Sequence, residues 1–160
     1  MTRHATDEAD VHEQVARRLG RKDQRYTQAR RQLVRVLLTA RRPVTLPDIS
    51  ELAPDLAQSS VYRNLDVLER SEVIRRISVG SEFAHFELTE DLLGHHHHLI
   101  CVECGHIDDV HLDDDVERMV EQHLAAVAER SGFAPLHHSL DLHGRCAECQ
   151  ASQPAPILET

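Results

Sequence analysis

The chain has 160 residues and a formal net charge of −9 at neutral pH. That length holds one compact domain or two small ones, and no apolar stretch approaches the roughly 20 residues of a membrane span. Residues 1–13 are polar and mixed in charge, with nothing resembling a signal peptide, so a cytoplasmic protein with reduced thiols is expected.

The net charge conceals a split. Residues 1–80 hold 15 Lys and Arg against 11 Asp and Glu, a balance of +4, whereas residues 81–160 hold 3 against 16, a balance of −13. Eleven of the 13 histidines also lie in the second half. A basic front and an acidic, histidine-rich back predict an anion-binding module followed by a cation-binding one. Accidental clustering of surface charge is the competing explanation. Aromatic residues are scarce and Trp is absent, so metal ligation is expected to supplement small cores; a structural zinc site contributes on the order of 10–16 kcal/mol in small domains.

In chain order, residues 7–20 read as a short helix with Val11, Val15 and Leu19 at four-residue spacing. Thr27 is the expected N-cap of the next helix, whose stripe is Leu33, Val36, Leu37 and Ala40, and Pro43 breaks it. Thr45 caps a second short helix carrying Ile49, Leu52 and Ala53, with Asp48 as its capping-box partner; Pro54 ends it. Ser59 or Ser60 opens a further helix in which Val61, Leu65 and Leu68 face inward. Val73–Val79 and Phe83–Leu88 then read as strands around Gly80. Helices and a hairpin in this order describe a winged helix-turn-helix, whose last helix enters the DNA major groove.

His97–Val102 and Ile107–His111 read as strands joined across a Cys-x-x-Cys turn. Asp113–Ser131 reads as an amphipathic helix, with Val116, Val120, Leu124 and Val127 on one side and acidic residues at its N-terminus, where the dipole favours them. Gly132 ends it, Leu136–His143 forms a final strand, and residues 151–160 are expected to be a disordered tail.

Two Cys-x-x-Cys pairs, Cys101/Cys104 and Cys146/Cys149, account for every cysteine. Thiolates at this spacing build closed tetrahedral zinc sites; two disulfides, or reduced bystander thiols, are the alternatives. Just before the first pair stand His95, His96, His97 and His98. Side chains alternate along an extended chain, so His95 and His97 point one way and His96 and His98 the other. Two metal sites sharing one short segment are therefore expected, against a merely solvated polar run. His85 and Glu87 share one strand face, free to meet a cation. Asp109, Glu117 and His138 add N and O donors suited to a borderline divalent metal, although each taken alone also suits a surface or core-edge role.

The stretches SSVYRNLDVLE, HFEL, HHHHLICVECG and HHSLDLHGRCAEC resemble the ferric uptake regulator family of metal-dependent repressors, from about Asp23 to Cys149. The resemblance implies an α+β fold, a winged helix followed by a small α/β dimerisation domain, with expected domains at 1–88, 89–150 and a tail at 151–160; residues 1–22 are a flexible arm or helix. It implies structural Zn2+ on the four cysteines and a regulatory site on Glu87, His96 and His98, with Asp109 as a further ligand. It implies an additional site on His95, His97, Glu117 and His138. Tyr62 and Arg63 are implied at the major groove of a palindromic double-stranded operator, and Arg25 as a minor-groove or backbone arm, in a homodimer without membrane contact. Arg30, Arg31 and Arg35 are spaced to reach phosphates. Iron- and peroxide-sensing members usually place a ligand His where this chain has Pro43. Zinc sensors often put a Cys near Glu87 and an Asp near Ile74. His85 is the expected substitute ligand, and the regulatory ion is expected to be Fe2+ or Zn2+, with Mn2+ and Ni2+ as alternatives.

Two other classes compete. A zinc-stabilised protein-interaction module predicts no DNA affinity at any metal level. A zinc deaminase has the outline of His85-Phe86-Glu87 followed by Cys101-x-x-Cys104, but Ile100 stands where its proline belongs. The second Cys pair would also close the coordination that catalysis needs open.

Overall fold

The computed structural model describes residues 7–78 and 83–152. The chain divides into two units, Met1–His95 and His96–Thr160.

Unit 1 opens with α1 (Glu8–Arg21), whose Asp7 cap accepts from the Ala9 N–H at 3.1 Å and whose Val11, Val15 and Leu19 are buried. Helix α2 (Gln28–Ala40) starts where Thr27 accepts from the Arg30 N–H and buries Leu33, Val34, Val36 and Leu37. It stops at Arg41, which takes the left-handed conformation at φ 50°. Arg42 precedes Pro43 and is thereby disfavoured from continuing the helix.

A two-residue strand follows, β1 (Val44–Thr45), too short to carry a readable period. Thr45 also caps α3 (Leu46–Leu52) through a reciprocal capping box: its hydroxyl accepts from the Asp48 N–H at 3.3 Å, and Asp48 accepts from the Thr45 N–H at 2.7 Å. Helix α4 (Gln58–Arg70) begins before the expected serines. Ala57 is its N-cap, with no side-chain hydrogen bond, and Ser60 lies inside the helix, accepting from Asn64 at 3.1 Å. Its inward stripe is the expected one, Val61, Leu65 and Leu68.

Strands β2 (Ile74–Ile77) and β3 (His85–Leu88) are shorter than the predicted runs. Val73 closes the end of α4 instead, its N–H donating to Leu68 O at 2.9 Å. Val79 and Gly80 lie outside the described residues. The antiparallel sheet has order β1-β3-β2, with Val44 opposite Phe86 and Ile74 opposite Leu88. A short helix not read from the sequence, α5 (Glu90–Leu93), follows the sheet and buries Leu92 in the same core as Leu19, Leu33, Ile49, Leu65 and Leu88. The core is almost wholly aliphatic; each fully buried side chain of this size is worth about 1.5–3 kcal/mol over its exposed state. Helices α2 to α4 and the β2–β3 hairpin make unit 1 a winged helix.

Unit 2 is built on β4 (His97–Cys101), antiparallel to β5 (Ile107–Val110) and parallel to β6 (Asp141–Gly144). The last strand is shorter than the predicted Leu136–His143. Its register starts at His98 opposite Asp141, just after the Leu140 carbonyl, which accepts from the His98 N–H at 3.2 Å; β4 itself begins at His97, and Leu136 is 95% exposed. Helix α6 (Asp114–Arg130) has Asp114, Asp115 and Glu117 in its first turn. Its predicted apolar stripe is present but uncovered: Val116, Leu124 and Val127 are 39%, 43% and 50% exposed. Helix α7 (Ala147–Ala151) reaches into the predicted tail, most of which lies outside the described residues.

The capping box gives a stability test. Burial alone would raise the Asp48 carboxyl, but hydrogen bonds from the Thr45 N–H and hydroxyl, and Arg42 at 3.2 Å, hold it below the usual carboxylate range. A depressed folded value contributes stability that is present above the unfolded value and lost as pH falls through the folded one. Thr45→Ala should cost about 1 kcal/mol. Asp48→Asn should lower the melting temperature at pH 7, by an amount that shrinks as pH drops below about 4; a pH-independent deficit would argue against this role.

Candidate functional site

The four thiols meet at one point in unit 2. Cys101 ends β4, Cys104 lies on the turn before β5, and Cys146 and Cys149 lie at and within α7. All four are unbonded, and their sulfurs lie within 4.8 Å of one another, with Cys104 and Cys146 at 3.7 Å. A zinc ion with Zn–S bonds of about 2.3 Å requires sulfurs about 3.8 Å apart at tetrahedral corners, so the residues present fit zinc. A disulfide needs about 2.05 Å. The N–H groups of Cys104 and Cys146 hold the Cys101 thiol down to about 6, while side-chain hydrogen bonds from Cys146 and Cys104 push the Cys149 thiol up. A soft cation bound here would displace the thiol protons. Four sulfurs around one point leave no open position for the activated water of a deaminase.

The histidine run behaves as strand alternation requires. His97 is 1% exposed and its Nε2 meets Glu117 Oε2 at 3.0 Å. His138 Nε2 meets the other oxygen of the same carboxylate at 2.9 Å, with the two imidazole centroids 5.3 Å apart. His97, Glu117 and His138 therefore form one cluster. His95, the last residue of unit 1, lies 3.2 Å from Glu90 Oε1.

His98 points the other way. Its Nε2 lies 3.9 Å from Asp109 Oδ1, too long for a hydrogen bond but suited to two donors each about 2.0–2.2 Å from one ion. Its Nδ1 lies 3.2 Å from Asp141 Oδ1, a carboxylate placed to orient the imidazole. The His96 ring sits 5.2 Å from that of His98, edge to face, and 6.3 Å from that of His111. Asp141 and His111 were not among the predicted residues. Asp141 is brought to His98 by parallel pairing across 43 residues, which leaves no local mark in the sequence; His111 is one of several scattered histidines with no spacing to single it out.

In unit 1, His85 and Glu87 are buried on β3, 4% and 2% exposed. On its strand face Glu87 already has a cationic neighbour. Arg75 stands directly opposite in the sheet register and forms an ion pair with it. A cation taken by Glu87 must compete with that guanidinium.

On α4, Tyr62 and Arg63 are exposed, and Arg63 Nε donates to Ser59 O at 3.2 Å. Arg25 is exposed between α1 and α2. The three arginines spaced along α2 have protein partners: Arg30 reaches Asn64, Arg31 lies 4.3 Å over the Tyr26 ring, and Arg35 lies 3.3 Å from Glu8.

Residues 21–143 match the sequence profile of the ferric uptake regulator family. The chain is 31% identical to the ferric uptake regulation protein of Bacillus subtilis (strain 168) over 108 residues, covering 66% of this chain and 68% of that protein. It is 33% identical to that of Campylobacter jejuni over 131 residues, covering 78% and 79%. Its fold superposes on the ferric uptake regulator of Helicobacter pylori with a TM-score of 0.70 at 23% identity, covering 96% of this chain and all of the other. The chain belongs to the ferric uptake regulator family, whose members are metal-responsive DNA-binding transcriptional repressors.

Cys101→Ser tests the thiol cluster. Cys101 is 3% exposed, and replacing its sulfur should reduce zinc content and cost several of the roughly 10–16 kcal/mol such a site supplies. Metal analysis and a melting curve check this; full zinc content with an unchanged melting temperature would refute the assignment.

Proposed function

We propose that the protein is a homodimeric repressor in the cytoplasm, binding a palindromic operator when a divalent metal occupies the histidine cluster next to the junction of its units. The observation that carries this is the split at His97 and His98: adjacent residues of one strand lead to separate clusters of carboxylate and imidazole donors. Structural Zn2+ belongs on Cys101, Cys104, Cys146 and Cys149. His96, His98 and Asp109 form the core of the regulatory site, with Glu87 as the ligand contributed by unit 1 and His85 as its neighbour. The additional site uses His95, His97, Glu117 and His138. The regulatory donors are nitrogen and oxygen only, which suits Fe2+ or Zn2+, with Mn2+ and Ni2+ as competitors.

A bound divalent cation supplies positive charge and open coordination that draw these donors together. On this reading, capture of the ion favours the DNA-competent state. The uncovered apolar stripe of α6, Val116, Leu124 and Val127, supports a second copy as the dimer partner. Two copies of α4 then address the two half-sites of one palindrome. Arg63 is suited to a bidentate contact with guanine and Tyr62 to a thymine methyl. Among the described residues no helix is long and apolar enough to cross a membrane.

The reading is tested by titrating an AT-rich inverted-repeat duplex at fixed salt with and without Fe(II), Zn(II), Mn(II) and Ni(II). Metal-dependent binding is expected; binding indifferent to metal, or none, would instead favour a protein-interaction module. His96→Ala should remove about 1–3 kcal/mol of metal-coupled affinity while sedimentation shows an intact dimer, and unchanged repression would count against the site. Arg63→Ala should cost about 1–3 kcal/mol of discrimination between operator and random DNA. Equal losses on both would mean that it touches only phosphate.

A further inference from the structure

We infer that Arg30 is a positioning residue for operator recognition, a latch that sets α4 against the Arg25 segment, and does not act as a phosphate contact. The inference rests on the DNA-binding reading above.

Arg30 lies in the first turn of α2, yet its guanidinium addresses two other segments. Its Nε donates to Asn64 Oδ1 on α4 at 3.0 Å, its Nη2 donates to Gln24 Oε1 at 3.3 Å, and its Nη1 donates to the backbone carbonyl of Arg25. The same carbonyl accepts from the Thr27 N–H at 3.1 Å. Asn64 is held in turn: its Nδ2 donates to Ser60 O at 2.8 Å and to Ser60 Oγ at 3.1 Å, which turns its oxygen toward Arg30. Both ends of the contact are therefore oriented by further hydrogen bonds.

Asn64 directly follows Tyr62 and Arg63. Successive residues step about 100° around a helix, so the bond to Asn64 registers the rotation of the face that carries those two side chains. The carbonyl of Arg25 hangs from the same guanidinium. A rigid planar fork can hold these three acceptors in one geometry. A lysine, with a single flexible ammonium, keeps the charge but cannot reproduce the fork. The two roles open to Arg30 therefore predict opposite results for the same substitution.

The experiment compares wild type, Arg30→Ala, Arg30→Lys, Asn64→Ala and the Arg30→Ala/Asn64→Ala double variant, all metal-loaded. Each is titrated against an AT-rich inverted-repeat duplex and a random duplex of equal length across a salt series. Melting curves and the stoichiometrically active fraction are recorded for each. The expected result is an operator-affinity loss on the order of tenfold for each single variant, with unchanged salt slope and unchanged random-DNA affinity. The double variant should be no worse than Arg30→Ala. A wild-type-like Arg30→Lys, together with a salt slope lowered by about 1 in Arg30→Ala, would overturn the latch and make Arg30 a phosphate contact. A wild-type-like Asn64→Ala would overturn it too, and that variant carries the test should Arg30→Ala fail to fold. Wild-type protein without metal-dependent operator binding would remove the DNA-binding reading itself, and the latch with it.

Discussion

Alternation along β4 is the constraint on which the metal chemistry of this chain depends. Successive side chains of a strand leave on opposite faces, and five residues, His97 to Cys101, carry that rule from two histidines to a thiol. His97 turns to Glu117 and His138, His98 turns to Asp109 and Asp141, and Cys101 delivers the strand's end to the other three sulfurs. A one-residue slip of this strand would exchange the partners of both histidines and turn Cys101 away. The register against β5 and β6 therefore decides all three clusters at once.

That arrangement has an energetic consequence. His96, His97 and His98 are all buried, as are Glu87 and His85 in unit 1. Burying groups of this kind is costly unless they are paired. Within unit 2 the imidazoles and carboxylates face one another in clusters, and they occupy places that aliphatic side chains would otherwise fill. Ile100, Cys101 and Ile107 are its buried apolar residues among those described, whereas unit 1 buries an extended aliphatic set. A unit so poor in apolar burial depends more than its neighbour on cations and on covering α6.

Much of unit 1 was legible because its signals are local. Thr27, Thr45 and Asp48 sit where a helix start needs an acceptor, and the stripes through Val11, Leu33 and Val61 repeat at helical spacing. Chemistry that depends only on spacing was equally visible: the paired cysteines and the parity of the histidine run. What escaped is set by partners distant in sequence. Ala57 caps α4 by backbone conformation alone, which no residue type announces. Asp141 reaches His98, and Arg75 neutralises Glu87, through strand register. The periodicity of α6 was readable, but whether its stripe would be covered was not, since periodicity reports a face and says nothing of what lies against it.

The basic character of unit 1 needs the same distinction between composition and placement. Many of its arginines are already engaged within the unit: Arg17 with Glu13, Arg18 with Asp91, Arg35 with Glu8, Arg42 with Asp48, Arg70 with Asp66, Arg75 with Glu87 and Arg76 with Glu69. A guanidinium beside a carboxylate attracts a phosphate far less than a lone one, so counterion release on DNA draws on fewer charges than the count of Arg and Lys implies. A correspondingly modest sequence-independent affinity is the expectation. Against that low background, a metal coupling of about 1–3 kcal/mol changes operator occupancy by a large factor. On a strongly basic surface, non-specific binding would hold the protein on DNA whether or not its histidine clusters were filled.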